Sequence, residues 1–404
     1  MELTNRRVGA AGRLPMWLIA LGVHGWLTAS SLAGPFSGLY VFGDSLSDVG
    51  NLTDATFGLF PGPTYFNGRV SNGPVFVEHL SIALGLGTST ASRSGGSNFA
   101  FGGARTSGTF FVQDVNEQVT DFLNNRTADP NALYMVFAGA NDLVGGQTDL
   151  NAPVNQLATD IGRLYDDGAR QFFVPNLPRL GLTPQYNGDA EQAAIINARS
   201  ELFNELLAEM LHGLPSTRTE IQIYQFDIEA RFNEIVADAA YFGFANVTDP
   251  AAPGLEPGDG NYDEEQIVSA PNSYLFWDDL HPTATGHALL AAEALRALLP
   301  AGDYNRDWVV DIADYTVWRD TLGSSTQLAA DGDRSRAVDE GDYAIWTANF
   351  GASSYAMNGV LNNPILVPEP TAVVASFLTA LGALMLYAST VRNRPPALDG
   401  PGVA

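Results

Sequence analysis

The feature that most constrains this chain is a serine that directly follows a short apolar run. Leu39-Tyr40-Val41-Phe42 leads into Gly43-Asp44-Ser45-Leu46. An apolar run of this length bounded by glycine is typical of a buried strand. The pattern therefore predicts that Ser45 lies where a buried strand turns into a helix, exposed and fixed in direction.

An aspartate and a histidine three residues apart occur far downstream, in Trp277-Asp278-Asp279-Leu280-His281. Attack on an ester by a serine requires a base that takes the hydroxyl proton and a group that orients the base. We predict that Ser45 is the nucleophile, His281 the general base and Asp278 the orienting carboxylate. A lone Gly-Asp-Ser-Leu is also compatible with an ordinary turn, so the hypothesis depends on the distant pair.

Four short blocks occur in a fixed order along the chain: the Ser45 segment, Asn98 to Ala104, Gly139-Ala140-Asn141-Asp142, and Asp278 to His281. In this order they resemble the GDSL branch of the SGNH hydrolases, an esterase and lipase superfamily. The resemblance covers roughly residues 38–300. It implies a three-layer α/β/α sandwich with a parallel sheet.

The resemblance also implies roles for individual residues. The backbone N–H groups of Ser45 and Gly103 and the side-chain amide of Asn141 would form the oxyanion hole. The D-x-x-H spacing of the family selects Asp278, which leaves Asp279 as a surface or capping carboxylate. Ser45 lacks the G-x-S-x-G surroundings of the α/β-hydrolases, so a different fold is expected.

Apolar runs and helical stretches alternate along this region, which favours a parallel sheet covered by helices. Strands are predicted at 39–42, 134–138 and 172–174, and helices at 190–211 and 286–299. The helix at 190–211 carries six apolar residues that we interpret as core, namely Ile195, Ile196, Leu202, Phe203, Leu206 and Leu207. The loops at 84–97 and 250–260 are predicted to form walls of the substrate pocket.

Charge and composition exclude several functions. All 20 basic residues are arginine and the formal net charge is −25, so nucleic acid and anionic membranes are poor partners. The absence of cysteine excludes a thiol nucleophile and disulfides. No histidine pair has zinc-ligand spacing, and we predict catalysis without a cofactor. His287, six residues after His281, is interpreted as helix surface or core.

The two ends of the sequence predict export. Residues 1–33 have arginines, an apolar run and small residues near Ala33, the order of a signal peptide. Near the other end, Val367-Pro368-Glu369-Pro370 precedes an uncharged span at 371–391, and then Arg392 and Arg394. Residues 367–394 resemble a PEP-CTERM sorting signal with a transmembrane helix, which implies a sorting transpeptidase as partner. A plain membrane anchor is the alternative.

Between the hydrolase region (34–300) and a linker (354–366), residues 301–353 contain two copies of one motif with a period of 28. Each copy has oxygen-bearing residues at the steps of a calcium loop. The candidate ligands are Asp303, Asn305, Asp307, Val309 (carbonyl), Asp311 and Asp314 in the first loop, and Asp331, Asp333, Ser335, Ala337 (carbonyl), Asp339 and Asp342 in the second.

The paired loops resemble dockerin type I modules, which implies bound Ca²⁺ and a cohesin-like or surface partner. Glycine is expected at position 6 of each loop, but the first copy has Trp308 there and the second has Arg336. After each loop an apolar stripe is predicted to pack against the other, with Tyr315, Trp318 and Leu322 matched by Tyr343, Trp346 and Phe350. The alternative is a compact acidic spacer.

The sequence therefore predicts a secreted or surface-anchored serine esterase or lipase that forms an acyl-enzyme on Ser45. Its substrate would be a small-molecule, lipid or carbohydrate ester. Two alternatives remain open: an acyltransferase that uses the same three residues, and a non-catalytic surface protein built on the same fold.

Overall fold

The computed structural model describes residues 34–109 and 111–354. The strands are β1 (Leu39–Gly43), β2 (Leu133–Phe137), β3 (Gln171–Pro175), β4 (Gln222–Phe226), β5 (Asn246–Pro250) and β6 (Tyr274–Phe276). The helices are α1 (Asn51–Ala55), α2 (Phe76–Ala83), α3 (Val115–Asn125), α4 (Ala140–Val144), α5 (Asn151–Asp166), α6 (Pro184–Asn187), α7 (Ala190–Gly213), α8 (Ile228–Ala237), α9 (Ala284–Leu298), α10 (Ile312–Thr321) and α11 (Glu340–Asn349).

The central sheet is parallel, with the order β1-β2-β3-β4. Every residue of β2 and β3 is buried, as expected for parallel strands covered on both faces. Residues 97–101 run alongside β1 and extend the sheet, since Val41 N donates to Ser97 O and Phe99 N donates to Val41 O. The predicted parallel α/β fold is confirmed.

Helix α7 buries only some of the six apolar residues that were predicted to belong to the core. Ile196, Phe203 and Leu207 are buried, and these residues recur on one face of the helix. Ile195 and Leu202 are about half exposed because each lies one residue, a 100° rotation, away from that face. The prediction that all six apolar residues belong to the core was wrong for these two.

In the C-terminal repeat, α10 and α11 pack reciprocally. Trp318 Nε1 donates to Asp339 O and Trp346 Nε1 donates to Asp311 O, both at 2.8 Å. Asp311 and Asp339 are the N-cap residues of the two helices, so each tryptophan fixes the start of the other helix. The two copies are thus related by an approximate two-fold axis.

The predicted aromatic stripes are buried only in part. Trp318 and Trp346 are buried, with Trp318 packed on Tyr343 at 4.8 Å between ring centroids. Leu322 and Phe350 are exposed, because the helices end one residue earlier, at Thr321 and Asn349. The last residue of each predicted stripe therefore lies beyond its helix.

The residues at loop position 6 are among those that attach the repeat to the hydrolase region, together with the pair Arg334–Glu293. Trp308 and Arg336 have φ of +74° and +68°, in the left-handed region that favours glycine. Trp308 packs edge-on against Phe36 at 5.9 Å, and the Arg336 guanidinium lies 4.0 Å over the Tyr241 ring and pairs with Asp238. Both non-glycine residues thus supply contacts that a glycine lacks.

Two predicted segments lie outside the described residues: the signal peptide at 1–33 and the sorting signal at 367–394, with its transmembrane span at 371–391. For the part of the chain that is described, no helix is both long and apolar enough to span a membrane.

Candidate active site

Ser45 lies in a tight turn at the carboxyl end of β1. Ser47 N and Asp48 N both donate to Asp44 O at 3.0 Å, which folds the chain back just after the serine. Contrary to prediction, Ser45 is buried, and the following helix α1 begins only at Asn51. The serine is buried because walls from several other segments of the chain enclose the turn.

His281 and Asp278 face each other across a second turn, after β6. Trp277 N donates to His281 O at 2.7 Å, which closes the turn. The His281 Nε2 atom is 2.9 Å from Ser45 Oγ, and Nδ1 is 2.9 Å from both carboxylate oxygens of Asp278. The structure therefore brings together Ser45, His281 and Asp278, the residues predicted to be the nucleophile, the general base and the orienting carboxylate.

A fourth residue, Tyr65, was missed by the sequence analysis. Its buried hydroxyl donates to Asp278 Oδ2 at 2.8 Å, while Leu280 N and His281 N donate to Oδ1 at 2.9 and 2.7 Å. Burial and the neighbouring Asp278 carboxylate raise the pKa of Tyr65, so the phenol stays protonated and donates. Tyr65 lies 213 residues from Asp278 and belongs to no short motif, so nothing local in the sequence indicated it.

Electrostatics favour an ionised Asp278 beside the imidazole. Burial on its own would raise the pKa of Asp278, but the charge of His281 and the donated hydrogen bonds hold that pKa below its usual value. Burial likewise disfavours the charged form of His281, yet the Asp278 carboxylate outweighs it and raises the pKa of His281 above 6.5. Asp278 is thus a fixed negative charge that favours the imidazolium.

The candidate oxyanion donors surround Ser45. Gly103 has φ +79°, a conformation that suits glycine, and Asn141 lies in the first turn of α4. One N–H of the Asn141 amide donates to Ala104 O at 2.9 Å, which leaves its second N–H for a ligand. In the described residues, neither Ser45 N nor Gly103 N donates to a protein acceptor.

Two cavities meet at Ser45, His281 and Asn141. The first is a narrow, mostly apolar slot of about 80 Å³ at the carboxyl edge of the sheet, with walls that include Leu177, Ile228, Phe232, Ile235 and Leu290. The second is a wider cleft of about 390 Å³, lined by Thr56, Phe60, Gly103, Phe111, Val112 and Pro257 among others. The site thus offers one narrow and one open compartment to the two sides of a substrate.

The loop predictions had mixed outcomes. The 250–260 loop contributes Pro257 to the open cleft, as expected of a pocket wall. No residue of the 84–97 loop lines either cavity in the described structure, because that loop packs behind residues 97–101, where Asn98 N donates to Thr90 O.

Asp279 and His287 are close to the catalytic residues in the sequence, but neither is hydrogen-bonded to Ser45, His281 or Asp278 in the described structure. Asp279 is half-buried, and its carbonyl accepts a hydrogen bond from Gln185 N at 2.8 Å. His287 is buried, and its Nδ1 accepts a hydrogen bond from Phe76 N at 3.2 Å. Burial lowers the pKa of His287 to about 3, so this imidazole is neutral and belongs to the core.

A parallel α/β sheet with a Ser–His–Asp constellation at its carboxyl edge defines a serine-hydrolase type of protein. Residues 39–294 match the family model described as GDSL-like Lipase/Acylhydrolase. This match spans well over half of the chain, which therefore belongs to that family. The predicted enzyme class, a carboxylic ester hydrolase, is confirmed by the same comparison and by esterase relatives.

Three curated relatives illustrate the range of the family. The phosphatidylcholine-sterol acyltransferase of Aeromonas hydrophila is 28% identical, over 69% of this chain and 93% of the relative. The thermolabile hemolysin of Vibrio parahaemolyticus is 27% identical, over 65% of this chain and 64% of the relative. The esterase EstA of Pseudomonas aeruginosa is 30% identical, over 64% of this chain and 46% of the relative.

The raised pKa of His281 predicts the pH dependence of turnover. Only the neutral imidazole accepts a proton, and a raised pKa means that the neutral form predominates only at higher pH. We expect kcat/KM to rise with pH through a midpoint above 6.5. Initial rates on a soluble ester between about pH 5 and 9 measure this midpoint, and a flat profile contradicts a histidine base.

Tyr65→Phe should lower kcat/KM about tenfold, because a hydrogen bond to a charged group contributes about 1.5–3 kcal/mol. Losing this donor leaves more negative charge on Asp278, so the midpoint of the pH profile should also move upward. The control is Tyr262→Phe, which removes a hydroxyl that donates to Pro253 O, outside the two cavities. An unchanged midpoint for Tyr65→Phe would mean that Tyr65 contributes only to packing.

Proposed function

We propose that this protein hydrolyses carboxylic esters through an acyl-enzyme on Ser45. The observation that carries the proposal is the continuous hydrogen-bonded series from Ser45 Oγ through His281 to Asp278, with 2.9 Å at each step. This series lies where the two cavities meet, so an ester bond placed there has room for a group on either side.

In the proposed mechanism, Ser45 Oγ attacks the acyl carbon while His281 Nε2 accepts the hydroxyl proton. The N–H groups of Ser45, Gly103 and Asn141 donate to the oxygen that becomes negative. His281 then returns the proton to the departing alcohol, and water cleaves the acyl-enzyme by the same route. Asp278 stays ionised throughout and stabilises the imidazolium. This chemistry requires no cofactor.

The two cavities suggest how the substrate is oriented. The narrow slot has apolar walls and would receive the acyl chain, because burying methylene groups there is favourable. The open cleft would receive the alcohol part, which varies more in size and must leave first. This assignment favours esters with an unbranched acyl chain.

Acyl transfer is the second candidate. It is favoured by the relative named phosphatidylcholine-sterol acyltransferase, most of whose length this chain matches. An alcohol in the open cleft would replace water in the second step. Product analysis with a p-nitrophenyl ester in the presence of an alcohol distinguishes the two, since a transferase yields a new ester and a hydrolase yields free acid.

Ser45→Ala should reduce kcat by about 10⁴-fold or more while leaving the fold intact, because only Oγ is lost. Asp278→Asn should lower kcat by a similar order, since the imidazole is then held in the wrong tautomer. The matched control is the adjacent Asp279→Asn, for which we expect near-normal turnover of a p-nitrophenyl ester. Equal losses at 278 and 279 would contradict the proposed role of Asp278.

We further propose that the protein is exported by residues 1–33 and retained at the cell surface by residues 367–394. Support comes from the sequence alone: an arginine-led apolar segment at one end, and a Pro-Glu-Pro motif, apolar span and arginine pair at the other. Cell fractionation with an antibody against the hydrolase region tests this, and finding the protein in the cytoplasm contradicts it.

A calcium ion is proposed for the second loop of the repeat. Carboxylate oxygens of Asp331, Asp333 and Asp342 lie within 4.8 Å of one another, and the buried Asp331 Oδ1 has no hydrogen-bond partner. In the first loop, by contrast, both oxygens of Asp303 accept backbone N–H groups, including that of Trp308 at 2.8 Å. The donor set of the second loop thus fits a hard cation better than that of the first.

If the second loop binds Ca²⁺, the ion should raise the unfolding temperature of the protein relative to EGTA, as any ligand of the native state does. Asp331→Asn should abolish this increment. Asp303→Asn, at the same position of the first loop, should retain it even if that variant is less stable overall. Differential scanning calorimetry measures the increments, and an equal loss in both variants, or no increment in the unmodified protein, contradicts the proposal.

A further inference from the structure

We propose that a rim of apolar side chains around the open cleft seats the enzyme on a zwitterionic lipid surface. The rim consists of Phe57, Leu59, Phe60 and Phe111. The inference rests on the proposed ester hydrolysis and specifies the physical state of the substrate: esters in a lipid layer that the rim contacts directly.

The rim residues are unusually exposed for their size. Phe57 and Phe111 are 96% and 93% exposed, and Leu59 is 71% exposed. Phe57 also has φ +54°, a left-handed conformation that is unfavourable for a bulky residue. With nearly all of its side chain in solvent, Phe57 gains little packing that would offset this backbone cost. Such an outlier is expected where the exposed residue has a function.

The rim is continuous with the catalytic cleft. Thr56 and Phe60, which flank Phe57 and Leu59 in sequence, line the cleft together with Phe111 from a separate loop. The Phe60 ring lies over the backbone of Gly258, and Gly258 N donates to Pro61 O at 2.7 Å, so the loop that carries the rim is braced. When the rim is in contact with a lipid layer, a lipid molecule can therefore pass from the layer into the cleft without crossing water.

The charges around the rim select the kind of surface. Residues 55–68 and 106–113 contain no charged side chain, although the whole chain has a formal charge of −25. Of the charged residues that flank these segments, Asp54 is exposed, Arg69 is paired with Glu78, Arg105 is half-buried and Asp114 is buried. Glu256 is also exposed, next to Pro257 of the cleft, so the exposed charges of the border are acidic. Anionic lipids would be repelled by this border and by the net charge, whereas the outward ammonium groups of a zwitterionic layer complement the acidic border.

The absence of cysteine from the chain permits a position-specific test. In the full chain carrying Ser45→Ala, which prevents lipid turnover, we would introduce Phe57→Cys, Leu59→Cys or the control Ile82→Cys and attach a polarity-sensitive dye. Ile82 is 60% exposed on α2 and lines neither cavity. The dye reports its own surroundings, so membrane contact by any other segment does not alter the result.

With phosphatidylcholine vesicles, the emission should shift to the blue at positions 57 and 59 but not at 82, and phosphatidylglycerol should produce a weaker shift. Three results would overturn the proposal: no shift at 57 and 59, an equal shift at 82, or a shift that depends on protein concentration without vesicles. The last result would instead indicate that the rim contacts a second copy of the chain.

A kinetic measurement separates this inference from the proposed function. The double variant Phe57→Ser, Leu59→Ser should hydrolyse soluble p-nitrophenyl butyrate at the normal rate but vesicle phosphatidylcholine about tenfold more slowly, because membrane binding scales with buried apolar area. Ile82→Ser should lose neither activity. If the double variant hydrolyses vesicle phosphatidylcholine as fast as the unmodified enzyme does, the proposed role of the rim is wrong, but the proposed ester hydrolysis is unaffected. If the unmodified enzyme fails on the soluble ester, the proposed function fails, whatever the dye reports.

Discussion

The geometry of the cleft depends on one buried carboxylate, that of Asp48. It accepts N–H groups from Gly50, Asn51, Leu52 and Gly102, at 2.7–3.0 Å. Three of these donors belong to the segment after Ser45, and the fourth belongs to the loop that presents Gly103. The carboxylate therefore ties the turn that carries the serine to the loop that carries a candidate oxyanion donor. Burial raises the pKa of Asp48, and the four hydrogen bonds, which favour its charged form, oppose that rise only in part.

The fold could be predicted where apolar runs are long enough to be buried on both faces. Strand β2 is apolar throughout and β3 is apolar after Gln171, and both were predicted to within one residue of their observed limits. Strand β4 was not among the predicted strands, because Gln222 and Gln225 interrupt it and it lies at the half-exposed edge of the sheet. The segment at 97–101 joins the sheet by hydrogen bonds to β1 that local composition does not indicate.

The candidate site could be predicted to the extent that it consists of short motifs. Ser45, Asp278 and His281 occur in such motifs, and their side chains meet in the structure. Tyr65 and the walls of the slot come from elements with no motif of their own, and they reach the site only because the fold brings them there. The 84–97 loop was predicted to be a pocket wall because it is rich in glycine and serine. It lines neither cavity in the described structure and instead packs against the edge of the sheet.

The attachment of the repeat has a mechanical consequence. Ser354 N donates to Trp308 O, and Gly351 and Ala352 pair with Val310, so the last described residues are bonded to the first loop of the repeat. Trp308 in turn packs into the core of the hydrolase region beside Phe36. Tension applied at residue 354 would therefore load these contacts and the Trp308–Phe36 packing before it stretched the short connection that follows α9. A pull on that end would be borne by the hydrolase core itself.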